Sequence, residues 1–133
     1  MTSDRAARNG RHYWLTPPDL YAQLDAEFGF DFDPCPWPRP EGFDGLIADW
    51  GRSSFCNPPF YSGVSAWARK AIAESQAGKR VVLVAPVDKC VMRLWQAAKE
   101  VRDLGDVRWC ATEDGSVGPG TGRYIACFVL GGR

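Results

Sequence analysis

A short apolar run, Ser54-Phe55-Cys56, is stopped by Asn57-Pro58-Pro59-Phe60, and that stop constrains the chain more than any other feature. Two successive prolines carry no backbone N–H, and each ring holds φ near −65°. Asn57 precedes a proline and is driven out of helical geometry. The run therefore reads as a strand that ends abruptly in a stiff loop. The loop presents an amide side chain, bare carbonyls and an aromatic ring together. Such a set suits a planar ring bearing an amine: the Asn57 oxygen and the Pro58 carbonyl each accept one N–H, and Phe60 stacks on the ring face. The bland alternative is a rigid turn with a buried phenylalanine.

The rest of the chain alternates helices with strands. Thr16-Pro17-Pro18-Asp19 reads as a helix start, with Thr16 as N-cap, Pro17 in the first helical position and Asp19 near the positive helix end. Leu20, Leu24 and Phe28 then recur every four residues along one helical face, and Gly29 ends the helix. Phe30 to Asp33 reads as a short strand. Residues 34–49 carry prolines at 34, 36, 38 and 40 and read as irregular. A second helix is expected over 63–77, with Val64, Trp67, Ala71 and Ile72 on one face. Val81 to Ala85 is a continuous apolar run that fits a strand covered on both faces. A third helix is expected from Asp88 to about Arg102, with Val91, Leu94, Trp95 and Ala98 inward. Residues 106–111 and 123–130 read as two late strands forming an antiparallel hairpin. The expected architecture is α/β with a mainly parallel central sheet.

Composition narrows the partners. The length, 133 residues, fits one domain: a basic arm over 1–12, read as flexible, and one folded unit over 13–133. Acidic and basic residues balance at 16 each, so no general field draws the chain to nucleic acid. Attraction must come from local patches such as Arg5, Arg8, Arg11 and His12, whose bland reading is a solvated tail. The five cysteines show no Cys-x-x-Cys spacing and His12 is the single histidine, so no metal site is expected. The scattered cysteines and the lack of a signal peptide fit reduced thiols in a cytoplasm, here that of a bacterial host. No apolar run approaches the ~20 residues that span a membrane.

Asn57-Pro58-Pro59-Phe60 resembles the (Asp/Asn)-Pro-Pro-(Tyr/Phe) signature of amino-methyltransferases that use S-adenosylmethionine (SAM). Trp14-Leu15-Thr16-Pro17-Pro18, Phe30 to Cys35, Asp44-Gly45-Leu46 with Trp50, and Val81 to Pro86 occur in the order found in small phage-type DNA N6-adenine methyltransferases. The resemblance covers roughly residues 13–130. It implies a reduced Rossmann-like methyltransferase fold closed by a C-terminal antiparallel hairpin. It implies SAM as cofactor and adenine in DNA, read as double-stranded, as substrate, with the base flipped out of the duplex. Catalysis would then rest with Asn57, Pro58, Pro59 and Phe60. Asp33, with Pro34 and Cys35, would lie against the methionine part of SAM, Thr16 and Pro17 would contact the same end, and Asp44 would reach the ribose or adenine, with a surface turn before Gly45 as its alternative reading.

The chain departs from many SAM enzymes where a Gly-x-Gly loop follows the first strand: Cys35-Pro36-Trp37-Pro38 stands there, and the segment to Asp44 is short. Trp37 is a candidate for the adenine pocket or a shield over the core. Gly115 to Gly122 is no phosphate loop, because no Lys-Ser/Thr follows. It reads as a hairpin loop, with a DNA-facing loop above Arg123 as the alternative. No separate target-recognition domain fits in this length. Specificity would be short or relaxed, or come from a second subunit or a homo-oligomer. Two other readings stay open: an inactive module that binds DNA or SAM, and methylation of RNA adenine or a protein glutamine.

Overall fold

A computed structural model describes residues 14–59, 64–87, 91–111 and 124–132. Phe60, the arm over 1–12, Cys90, the glycine-rich stretch 115–122 and Arg123 lie outside the described residues. The elements in chain order are β1 (Trp14–Leu15), α1 (Pro18–Phe28), β2 (Ser53–Cys56), α2 (Val64–Gln76), β3 (Arg80–Pro86), α3 (Val91–Ala97), β4 (Glu100–Gly105), β5 (Cys110–Ala111) and β6 (Ile125–Gly131).

A four-stranded sheet of order β2-β3-β6-β4 organises them. Strands β2 and β3 are parallel, with Cys56 opposite Leu83. Strand β6 runs antiparallel to β3 on one side and to β4 on the other. Phe32 adds a single parallel bridge to Ser54 outside β2. The expected strand over 30–33 is thus reduced to one bridge, reinforced by Asp31, whose Oδ1 accepts the Ser53 N–H at 3.0 Å.

Three expectations are corrected here. The sheet is mixed and mostly antiparallel, not mainly parallel, because β6 inserts between β3 and β4. The C-terminal hairpin is absent among the described residues: Cys110 and Ala111 pair with Leu15 and Trp14 in a separate two-stranded sheet, while β6 pairs elsewhere. The third helix stops at Ala97, and Glu100 to Gly105 is a strand. The cause of the last is tertiary. Glu, Arg and Leu favour helix in isolation, but β6 is apolar along its length and needs a partner on each edge. The exchange begins at Lys99, whose N–H already donates to the Val129 carbonyl at 2.8 Å.

Alternation along the strands divides the core in two. Val81, Leu83 and Ala85 of β3 join Ala126, Phe128 and Leu130 of β6 on one face, under Val64, Ala68 and Ala71 of α2 and Leu94 of α3. Val82 and Val84 join Ile125, Cys127 and Val129 on the other, with Leu24 of α1 and Trp109. Period-2 side-chain alternation in a sheet covered on both sides gives this division. Helix α2 presents its expected face, with Trp67 and Ile72 packed against the first cluster. Trp95, expected inward, is 55% exposed and only meets the Phe128 ring edge-on. No helix among the described residues is long and apolar enough to cross a membrane.

The proline-rich connection from 34 to 50 is held by specific bonds. Asp44 Oδ1 accepts the Leu46 N–H at 2.9 Å, which makes a local turn. The buried Trp50 indole donates to the Gly45 carbonyl at 2.7 Å. Gly45 sits so close to Pro34 that a Cβ would collide with the Pro34 carbonyl. Glu74 anchors the far end: its Oε1 accepts from the Trp50 N–H and from Lys79, and Oε2 pairs with Lys70 at 2.9 Å. Burial alone would raise the Glu74 carboxyl, but hydrogen bonds from Lys79 and Lys70 outweigh it and hold the group below the usual glutamate value of 4.5.

Two measurements follow. Gly45→Ala forces a methyl group onto backbone and is expected to lose on the order of 1–3 kcal/mol in urea unfolding. Glu74 is more acidic folded than unfolded, so its stabilisation is complete above the unfolded value of 4.5 and disappears as pH falls through the lower folded value. Glu74→Gln is therefore expected to flatten the acid limb of the melting-temperature profile and to lower stability at pH 7. An unchanged acid limb would remove Glu74 from that role.

Candidate active site

A cleft of about 150 Å³ opens beside the carboxyl end of β2, lined by Leu15, Thr16, Tyr21, Asp33, Cys35, Trp37, Phe55 and Asn57. Four separate stretches build it: the link from β1 to α1, the face of α1, the turn after Phe32, and the end of β2. Ligands of open α/β sheets occupy this position, outside the carboxyl ends of parallel strands. Here the parallel part is the Phe32 bridge with β2 and β3.

Asn57 follows the last residue of β2, and Pro58 behind it is buried. The Asn57 Nδ2 donates to Thr16 Oγ1 at 3.0 Å across 41 residues of sequence. That bond turns the amide oxygen Oδ1 away from Thr16. Thr16 thus does different work from the N-cap expected of it. The N-cap is Pro17, which has no side-chain cap bond, and Pro18 is the first helical residue. The short pairing of β1 with β5 holds this segment beside Asn57.

Asp33 follows the bridging Phe32. Its Oδ1 accepts the Cys35 N–H at 2.8 Å, closing a tight turn that sets Cys35 in the cleft wall. Asp33 touches solvent on its open side, yet the protein atoms crowded around its carboxylate raise its pKa above 3.8; the Cys35 N–H opposes that rise. A carboxylate so placed gains from a cation brought beside it. The other walls are aromatic. Tyr21 meets Phe55 edge-on at 5.2 Å and Phe30 at 5.6 Å. Burial, then the nearby Asp25 and Asp33, raise the Tyr21 phenol, which stays a protonated donor at neutral pH. Trp37, 39% exposed, stands at the mouth.

The fold therefore brings Thr16, Asp33, Cys35 and Asn57 into one cleft, with Pro17 and Pro34 adjacent in sequence. Pro34 is among the fully buried side chains. Asp44 is not among the lining residues: it is exposed, and its carboxylate closes the turn before Leu46. Tyr21 escaped the sequence reading. The signal was the stripe Pro17, Tyr21, Leu24 and Phe28, which shares one helical face. Attention to Leu20, Leu24 and Phe28 concealed it. Among the described residues no group of three His, Cys, Asp or Glu could hold a metal ion.

No curated protein and no solved structure matches this chain. A family model does, over residues 4–118, which include every residue lining the cleft. The chain belongs to the DNA N-6-adenine-methyltransferase (Dam) family, a family of methyltransferases.

Proposed function

We propose that this protein transfers a methyl group from SAM to the N6 amine of adenine in DNA. The observation that carries the reading is the convergence of Asn57, at the end of β2, with Asp33 and Thr16 in one cleft. The family match supports it.

The cleft fits one end of SAM by chemistry and size. Asp33 offers a carboxylate for the ammonium of the methionine part, and Tyr21 and Phe55 offer aromatic walls. About 150 Å³ accommodates an amino-acid-sized group. It falls short of the ~300–1,000 Å³ of sites that enclose a whole drug-sized ligand. The remainder of the cofactor would lie over the open mouth, near Trp37. When bound, SAM supplies the electrophilic methyl group.

The work of the chain is positioning. The exocyclic amine of adenine is a weak nucleophile because its lone pair is delocalised into the ring. Asn57 Oδ1 and the Pro58 carbonyl accept its two N–H bonds and draw the nitrogen toward tetrahedral geometry, which frees the lone pair for in-line attack. The Thr16 hydroxyl holds the Asn57 amide in the required orientation by accepting from Nδ2. Pro59 stiffens the loop and Phe60 stacks on the flipped base. No strong base precedes the transfer, so orientation and placed dipoles provide the acceleration. The basic arm over 1–12 contacts phosphates of double-stranded DNA. The setting is the cytoplasm of a bacterial host, with sequence preference short or set by a second subunit.

Mass spectrometry of nucleosides from a methylation-deficient host tests the reaction. N6-methyladenine is expected with the intact chain and is expected to vanish with Asn57→Ala, while SAM affinity measured by calorimetry is largely kept. SAM binding without any methyl transfer to DNA would instead favour a binding module of the same fold. The pH dependence of SAM affinity tests Asp33 separately. The ionised carboxylate pairs with the ammonium, so affinity is full above the Asp33 pKa and falls as pH drops through it. Because that pKa is raised, the fall is expected to begin above 3.8 and to disappear in Asp33→Asn. An identical pH profile in the variant would sink the assignment.

A further inference from the structure

The cleft wall holds a thiol, Cys35, that methyl transfer does not use. Phe32 bridges Ser54 in parallel register, and Cys35 and Cys56 lie three and two residues beyond that bridge. Beyond the bridge the Asp33 carboxylate closes a tight turn on the Cys35 N–H, so the two cysteines approach each other from a turn and from the end of β2. The two side chains meet: Cys35 packs against the core cluster that contains Cys56, and the thiols share a hydrogen bond. Neither is joined in a disulfide. Their surroundings differ. Cys56 is fully buried, whereas Cys35 is partly exposed and lines the cleft. The other described cysteines, Cys110 and Cys127, are buried.

We propose that Cys35 and Cys56 form a reversible dithiol–disulfide pair, a modification site for peroxide-class oxidants in the wall of the cleft. Cys35 reacts first because the cleft admits small molecules to it. Its sulfur attacks hydrogen peroxide, the O–O bond breaks, and Cys35 sulfenic acid and water form. The Cys56 sulfur then attacks the Cys35 sulfur, its proton leaves with the departing hydroxyl as a second water, and the disulfide closes. Two thiols are oxidised by two electrons and one peroxide is reduced to two waters. A thiol reductant reverses the change. Burial raises the Cys56 thiol well above its usual value, so closure waits for Cys35 to be oxidised and does not begin at Cys56. Cys127 belongs to the core cluster on the opposite face of the sheet from Cys56 and does not compete for Cys35. A cytosolic disulfide of this kind is a transient redox event, not a structural staple.

The link has a consequence that rests on the SAM reading above. Cys35 is joined to Asp33 through the N–H that its carboxylate accepts, and Cys56 immediately precedes Asn57. Drawing the two sulfurs into a covalent bond shifts both sides of the cleft inward. SAM affinity is expected to fall by about tenfold, as when one placed polar contact is lost.

The experiment uses the purified, reduced full chain treated with hydrogen peroxide. Intact mass is expected to fall by two hydrogen atoms, non-reducing peptide mapping to find Cys35 joined to Cys56, and dithiothreitol to restore the starting mass. In Cys35→Ser the loss is expected to disappear. In Cys56→Ala the Cys35 sulfenic acid has no resolving thiol and is expected to be captured by dimedone. Linkage through other cysteines, or Cys35 passing to sulfinic acid with Cys56 intact beside it, overturns the proposal. SAM calorimetry on the linked and re-reduced chain tests the consequence: a disulfide that forms without changing affinity overturns control of the cleft. A reduced chain that binds no SAM overturns the cofactor reading, while the mass and mapping results decide the dithiol independently.

Discussion

Seven consecutive residue pairs join β3 to β6 in antiparallel register, from Arg80 opposite Gly131 to Pro86 opposite Ile125. The rest of the structure depends on that ladder. Each strand sends alternate side chains to the two faces, so the register decides which residues enter which core. A slip of one residue would exchange Phe128 and Leu130 with Cys127 and Val129. Both faces are buried, so the slip would overpack one core and leave cavities in the other, and misfits of this kind cost ~1–3 kcal/mol each. The ladder also sets β2 beside β3, and β2 carries Asn57.

The site is assembled from parts that are weak alone. The Asn-Pro-Pro loop is stiff by covalent chemistry, but stiffness does not orient an amide. The orientation comes from Thr16, brought near by the β1–β5 pairing and by α1 packing on the second core. Asp33 is placed by a different device, the turn it closes on Cys35, below a connection pinned by Trp50 and Glu74. Packing thus fixes directions and local hydrogen bonds fix positions.

Much of this was legible in the chain. Proline chemistry marked the end of β2, and the apolar run over 81–85 marked a strand covered on both faces. The helix over 64–76 showed through its periodicity. Sheet polarity was not legible, because Ile125 to Leu130 looks the same whether it runs parallel or antiparallel. The strand at 100–105 was hidden for a related reason. Glu100, Arg102 and Asp103 are ordinary helix-surface residues, and only the open edge of β6 makes them a strand. Thr16 before two prolines has the look of a helix cap, yet its hydroxyl serves a residue 41 positions away, a contact that no local pattern encodes.

The central position of β6 also bears on how the chain acquires its shape during synthesis. Strands β3 and β4 are made before β6 and are not neighbours in the finished sheet. Until residues 125–131 emerge from the ribosome, each has a bare edge where β6 belongs, and the helices have only half a sheet to cover. The two halves of the core close together around β6. Until residues 125–131 have been made, the edges of β3 and β4 and the apolar faces beside them stay open to chaperones and proteases.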